Sequence, residues 1–548
     1  MNRLWTVLSG LGFAVAAMMP WVTFALNDGN YPAKSTLQFF DAPFLLTGFR
    51  LHLLVIGLLV VLFTFLPLPG RPRILRAAGW AGGLISLVNG AYITFKGGGL
   101  GAITAADGKV AFAAFVGVAA GALLIWSGAK AAPGIEFSWP ERPSRWLAYL
   151  ALLVSFAGLL LFVAAILTSG GGITNPYSAG QFMSFLAMAA GLIAALGATG
   201  VLRWIGELSE QHRYFSLLVM LGCALGLPFT SAGNEYWMTV AVNIGVYAAT
   251  AIGLNIVVGL AGLLDLGYVA FMGIGAFVAA NLSGAAAAAF DIHLPFIFAA
   301  IAAALVAGVF GAIVGSPTLR VRGDYLAIVT MAFGEIFVRS SQNNIGGLTG
   351  GSNAIPGIPP LELFGTGFQE SISIGGYKLA GGVLYYVLIV LLVALVMGVF
   401  ANLKDSRIGR AWIAIREDED AARAMGIQTG RAKILAFLIG ATLAGLAGAV
   451  FAHKTSSVSY ESFRFTESVT LLAAVILGGM GTIPGAVLGA SLLFVLPETL
   501  REFQDYRLML FGLALVLIMR FRPQGLVADR HRRAELTTVD DPVEVAAR

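Results

Sequence analysis

Apolar runs, most of them near the length of a membrane span, follow one another along most of this chain, parted by short polar or charged stretches. A helix crossing the hydrocarbon core of a bilayer needs about 20 such residues. Six runs precede Glu210, near 4–26, 46–67, 77–95, 110–128, 146–168 and 181–202. Ten more follow, near 214–230, 236–258, 262–282, 294–316, 324–339, 380–402, 432–452, 467–478, 484–499 and 507–521. Only 11% of the residues are charged, where a soluble domain carries about 25%. The expectation is an all-α polytopic membrane protein of about 16 transmembrane segments, the late ones near 467–499 short, Gly-broken and partial or re-entrant. The first run is longer than a cleaved signal's core and lacks a small-residue cleavage site, so it reads as a retained span.

Lys and Arg favour cytoplasmic loops. Arg71, Arg73 and Arg76 follow the second run, Lys130, Arg142 and Arg145 the fourth, and Arg203 and Arg213 the sixth. Arg320 and Arg322, the segment 403–433 and the arginines from Arg520 onward continue the alternation. All fall on one side if both termini are cytoplasmic. The alternate loops, 27–43, 168–180 and 340–379, are polar but poorer in positive charge. The chain divides at a charged cytoplasmic linker, GELSEQHR at 206–213, into a six-span region, 1–205, of unknown role and a second region, 214–525, with a polar tail at 526–548.

Several chemistries have no residues to stand on. No phosphate loop of the G-x-x-x-x-G-K-[ST] type occurs, so this chain has no ATP site of its own and any ATP hydrolysis belongs to another chain. The five histidines show no metal-binding spacing. No nucleophile elbow is present, and the lone Cys223 allows no disulfide framework. The net charge of +5 lies in loops between runs and signals topology, not nucleic acid.

One stretch breaks the apolar pattern: GRAWIAIREDEDAARAMGI, 409–427. On a helical wheel Ile408, Trp412, Ile415, Ala422 and Met425 share an apolar face interrupted by Glu419. Arg410, Glu417, Asp418, Asp420 and Arg423 cover the rest, Ala421 and Ala422 leave a smooth patch, and Gly426 is placed to close the helix. A helix of about 18 residues is near 27 Å long. It reads equally as a docking element for a groove on a partner or as a connector on lipid headgroups, although four consecutive acids sit poorly on an anionic leaflet.

This stretch resembles the EAA-type coupling segment of ATP-binding cassette permeases, in the version found in branched-chain amino acid importers. GLNIVVGLAGLLDLGYVAFMGIGAF (253–277), RVRGDYLAIVTMAFGEIFVR (320–339), LTGGSNAIPGIPP (348–360) and LGGMGTIPGAVLGA (477–490) are similar to that family in the same order. The resemblance covers roughly 214–525 and points to the LivM-type permeases, with the N-terminal six-span region as a departure. It implies that 403–430 inserts into an ATPase subunit, with Arg410, Trp412, Glu417, Asp418, Ala421, Ala422 and Gly426 at the coupling site. Asn255, Asp265, Tyr268, Phe271 and Glu335 are candidates for the translocation path. For Asp265 a structural place near the cytoplasmic end stands beside that reading, and for Glu335 a packing hydrogen bond does. Gly481, Gly485 and Gly489, four residues apart, are expected to bare one helix face for close packing.

The expected function is the membrane subunit of an ATP-driven importer of branched-chain or other hydrophobic amino acids, without catalysis of its own. The implied partners are a second, LivH-like permease subunit, two ATPase subunits (LivG-like and LivF-like) carrying ATP and magnesium, and a periplasmic or lipid-anchored binding protein. The implied setting is a bacterial, Gram-negative inner membrane. Urea or short-chain amides are alternative cargoes. An ion-coupled secondary transporter is a further class, disfavoured because it calls for charged mid-membrane residues in both halves.

Overall fold

The computed structural model describes residues 2–23, 48–66, 70–96, 99–106, 109–131, 139–140, 143–168, 178–319, 324–363, 365–374 and 377–499, with scattered positions between 509 and 527. The loop 27–43, most of 168–180, Arg142, Arg320, Arg322, most of the run near 507–521 and the tail from 528 lie outside the described residues. By internal packing the chain forms two compact units that meet in sequence at Ala232 and Gly233. The charged stretch 206–213 falls within the first unit, at the joint of two helices.

The first unit contains α1 (Asn2–Met18), α2 (Phe49–Phe65), α3 (Arg71–Lys96), α4 (Ala113–Ala129), α5 (Arg145–Thr168), α6 (Ser178–Ala198), α7 (Val201–Gln211) and α8 (Arg213–Gly226). Small residues let α1, α2, α3 and α4 approach backbone to backbone: a Cβ on Gly57 would stand 2.5 Å from the Gly10 carbonyl, and one on Gly121 2.7 Å from the Gly83 Cα. The Asn89 amide on α3 reaches the Ser184 hydroxyl on α6. The chain turns through 74° between α6 and α7. Ala148 and Leu152 on α5 then bury against Leu208 of α7, with Phe215 of α8 beside them.

The second unit contains α9 (Glu235–Asn255), which runs on through a π-helical turn (Ile256–Leu260), then α10 (Val269–Leu282), α11 (Phe296–Gly315), α12 (Asp324–Gln342) and α13 (Val383–Asp405). After these come α14 (Arg407–Glu417), α15 (Glu419–Ala424), α16 (Thr429–Thr455), α17 (Phe465–Gly478) and α18 (Ile483–Thr499). Alanine and glycine make α16 the central helix. The Gly275 Cα hydrogens of α10 point at the Gly445 backbone, and a Cβ on Gly311 of α11 would press on Ala441 and the Phe437 carbonyl. The segment between α12 and α13 is pinned to the end of α16 by antiparallel pairing of Ile355–Pro356 with Ser457–Val458.

The protein is thus helical and polytopic. Five described helices are long and apolar enough to cross a membrane, six with the bent α6–α7 pair, and shorter apolar helices of 10–17 residues accompany them. The expected straight run 262–282 is instead an irregular stretch, Ala261–Tyr268, followed by the 14-residue α10. Gly262, at φ 70°, lets the chain turn there.

Candidate coupling site and path residues

The segment 408–427 does not form the single helix its periodicity suggests. Ser406 caps α14 by accepting a hydrogen bond from the Gly409 amide (3.1 Å). The helix then stops at Asp418, whose backbone is extended (φ −156°, ψ 111°). The Asp418 carboxylate accepts from the amides of Asp420 and Ala421, both at 2.9 Å, and so starts α15. An aspartate that satisfies the orphan amides of a new helix competes with continuation of the old one. The α15 end is a Schellman turn: the Gly426 amide bonds the Arg423 carbonyl (3.0 Å) and the Ile427 amide bonds the Ala422 carbonyl (3.1 Å), with Gly426 at φ 86°.

The middle of the apolar face folds onto the chain itself, while Ile408 and Met425 at its ends are exposed. Trp412 is fully buried, its indole Nε1 donating to the Ala432 carbonyl at 2.7 Å, and Ile415 and Ala422 are buried with it. Trp412 and Ala422, expected on the coupling surface, therefore present nothing to a partner and serve to seat the element. Glu419, which interrupted the apolar face, meets Lys433 at 2.6 Å and Arg423 at 3.2 Å, with the Lys433 side chain almost wholly buried. What faces outward is Arg410, Glu417, Asp418, Asp420, Ala421, Arg423, Gly426 and, 84% exposed, Met425.

One hydrogen bond ties this element to the irregular backbone behind it, and three more join the helices on either side to the same region. Arg416 Nη1 donates to the Gly259 carbonyl in the π-turn (2.6 Å) while its Nη2 pairs with Glu417 (2.9 Å). Lys404 Nζ donates to the Gly481 carbonyl (3.0 Å). Asn255 accepts from the Gly481 amide (2.7 Å) and donates to the Thr482 carbonyl (2.9 Å).

Most of the proposed path residues are packed away. Asn255 is the buried clamp just described, not a lining residue. Asp265 is buried too, its Oδ1 accepting from the Gly267 amide (2.9 Å), three residues beyond Gly262, which lies against Arg416. That arrangement is a buried structural turn near the coupling element. Tyr268 is buried and donates to the Gly440 carbonyl (2.6 Å). Phe271, also buried, stacks on Phe333 at 5.2 Å. Glu335 alone among the five is partly exposed, on α12.

The late glycines divide. Gly485 and Gly489 face α17, where a Cβ would collide with the Gly479 and Ala474 carbonyls respectively. Gly481 is not on that helix face: it lies in the turn between α17 and α18 at φ 76°. Among the described residues no group of His, Cys, Asp and Glu is placed to hold a metal.

The described chain is a helical polytopic protein with a charged two-helix element bonded to the irregular end of a span. The chain belongs to the family of branched-chain amino acid transport system permease components, whose model matches residues 236–519, and within it to the LivM type. It is 42% identical over 323 residues to the high-affinity branched-chain amino acid permease protein LivM of Salmonella typhimurium, covering 57% of this chain and 74% of that one. To LivM of Escherichia coli it is 40% identical over 349 residues, 62% of this chain and 80% of that one. The Salmonella typhimurium permease protein LivH is 27% identical over 332 residues, 58% of this chain and 97% of that one. No solved structure matches.

Proposed function

We propose that this permease subunit carries branched-chain amino acids inward across a bacterial inner membrane, driven by ATPase subunits that grip the α14–α15 element. The observation that carries the reading is the division of that element: a buried half seats it on α16, and an outward half bears Glu417, Asp418, Asp420, Ala421, Met425 and Gly426. An exposed methionine beside small and acidic residues is suited to a groove on a partner. The relatives named LivM and LivH belong to branched-chain amino acid systems, which supports the cargo and a second permease subunit. ATP and magnesium would sit on the ATPases, substrate selection on an external binding protein, and both chain termini in the cytoplasm with about 16 segments in all.

The test is a tagged purification from gently solubilised membranes. Wild type is expected to bring down ATPase subunits and Glu417→Lys to lose most of them, since a reversed charge at a rim lowers association and a desolvated one costs more. Recovery of the same ATPases by both would remove Glu417 from the interface, and recovery by neither would remove the coupling role itself.

A further inference from the structure

At the end of the second unit opposite the coupling element, a cavity of about 450 Å³ opens between α9, α13 and α16. Its size lies within the range of small-ligand sites. The lining combines Glu235 from the first turn of α9, Lys454 from the last turn of α16, Thr239 and Thr455, Gln369 and Gly381, and the apolar Val242. Glu235 and Lys454 are of opposite sign and come from different helices. Lys454 donates to the neutral amide oxygen of Asn243 (2.8 Å), which positions the ammonium without neutralising it. The Glu235 carboxylate lies near Gly381, 3.9 Å from where a Cβ would stand. The floor is stiff: Tyr385, buried, holds its hydroxyl between the Leu361 amide (3.0 Å) and the His453 carbonyl (2.9 Å).

We infer that this cavity is a receiving site for the free α-amino acid, with Lys454 taking the α-carboxylate, Glu235 the α-ammonium and Val242 meeting the aliphatic side chain. A cavity with one cation and one anion, and the largely buried Val242 at its wall, matches a zwitterion with an aliphatic branch. A ligand that lacks the α-carboxylate leaves the half-buried Lys454 ammonium with its amide partner alone, and one that lacks the α-ammonium gives up the attraction of the more exposed Glu235 carboxylate. The inference rests on the transport reading above and adds a place where the cargo pauses within this chain. No bond is made or broken there.

The test uses the whole transporter in proteoliposomes, with Cys223→Ser and Thr239→Cys in this subunit. Modification of position 239 by a small methanethiosulfonate is read by mass on this chain, and leucine uptake is followed in the same vesicles. Leucine at ten times its dissociation constant is expected to slow modification about tenfold, whereas 3-methylbutylamine and 4-methylpentanoate, each lacking one charge, leave it unchanged. Adding Lys454→Met is expected to weaken the leucine protection by about tenfold or more, while Lys378→Met, an exposed lysine outside the cavity, preserves it. ATP-driven uptake without protection by leucine overturns the receiving site and leaves the transport reading standing. Equal protection by the two single-charge analogues overturns the zwitterion assignment, and absence of both uptake and protection overturns site and transport reading together.

Discussion

Glu419 shows how a residue that spoils a pattern can be the one that anchors it. On the helical wheel it is a charge in an apolar stripe. In the fold it pairs with Lys433, fourteen residues later and almost fully buried, on a different helix. No spacing rule reaches that far, so the pair was not legible in the sequence, whereas Gly426 was: a glycine after the last helical turn has one common use. A hydrogen bond to a charged group contributes about 1.5–3 kcal/mol. Lys433→Met is therefore expected to raise the opened population of the α14–α15 element about tenfold or more, seen as faster tryptic cleavage at Arg423 in the intact protein. An unchanged cleavage rate would mean that the Arg423 contact and Trp412 burial hold the element without the pair. Asn255 and Tyr268 teach the converse. Polar groups in apolar runs suggested a path, but their hydrogen-bond partners are backbone carbonyls and an amide more than 150 residues away.

At the scale of elements, periodicity found the helices and missed their interruptions. An apolar face interrupted only at Glu419 suggested one helix through 408–427, yet Asp418 ends one helix and begins the next because its carboxylate answers two free amides. The same holds for 477–490, where a four-residue glycine repeat is shared between a turn and a helix face. The α17–α18 hairpin gives a clean test. A Cβ on Gly489 would overlap the Ala474 carbonyl, and one on Gly398 of α13 meets nothing within 4 Å. Gly489→Ala is expected to destabilise by about 1–3 kcal/mol through overpacking. Gly398→Ala should be neutral or stabilising by up to about 1 kcal/mol through helix propensity. Thermal inactivation of the solubilised protein, followed through a tag's fluorescence, reads both. Equal shifts would mean that the hairpin relaxes around the added methyl.

For the whole molecule, hydropathy made the membrane class plain, and motif order pointed to the family over roughly 214–525, of which the family model matches residues 236–519. The first unit carries no comparable signal, because its helices are held by small-residue contacts that many sequences provide. The two units have their own internal packing, so deletion of residues 1–232 is expected to leave ATP-driven leucine uptake in proteoliposomes at a sizeable fraction of wild type. Loss of uptake with normal membrane insertion would assign the first unit a part in transport. Within the second unit, the bonds from Lys404 to Gly481, from Gly481 to Asn255, and from Arg416 to Gly259 join α13, the α17–α18 turn, α9 and α14 in a closed circuit. In a closed linkage no member moves alone. If the element is the coupling site proposed above, a push on α14 has to stretch or break one of these three bonds before it is lost in slack, and they make the element a crank for the stretch after α9.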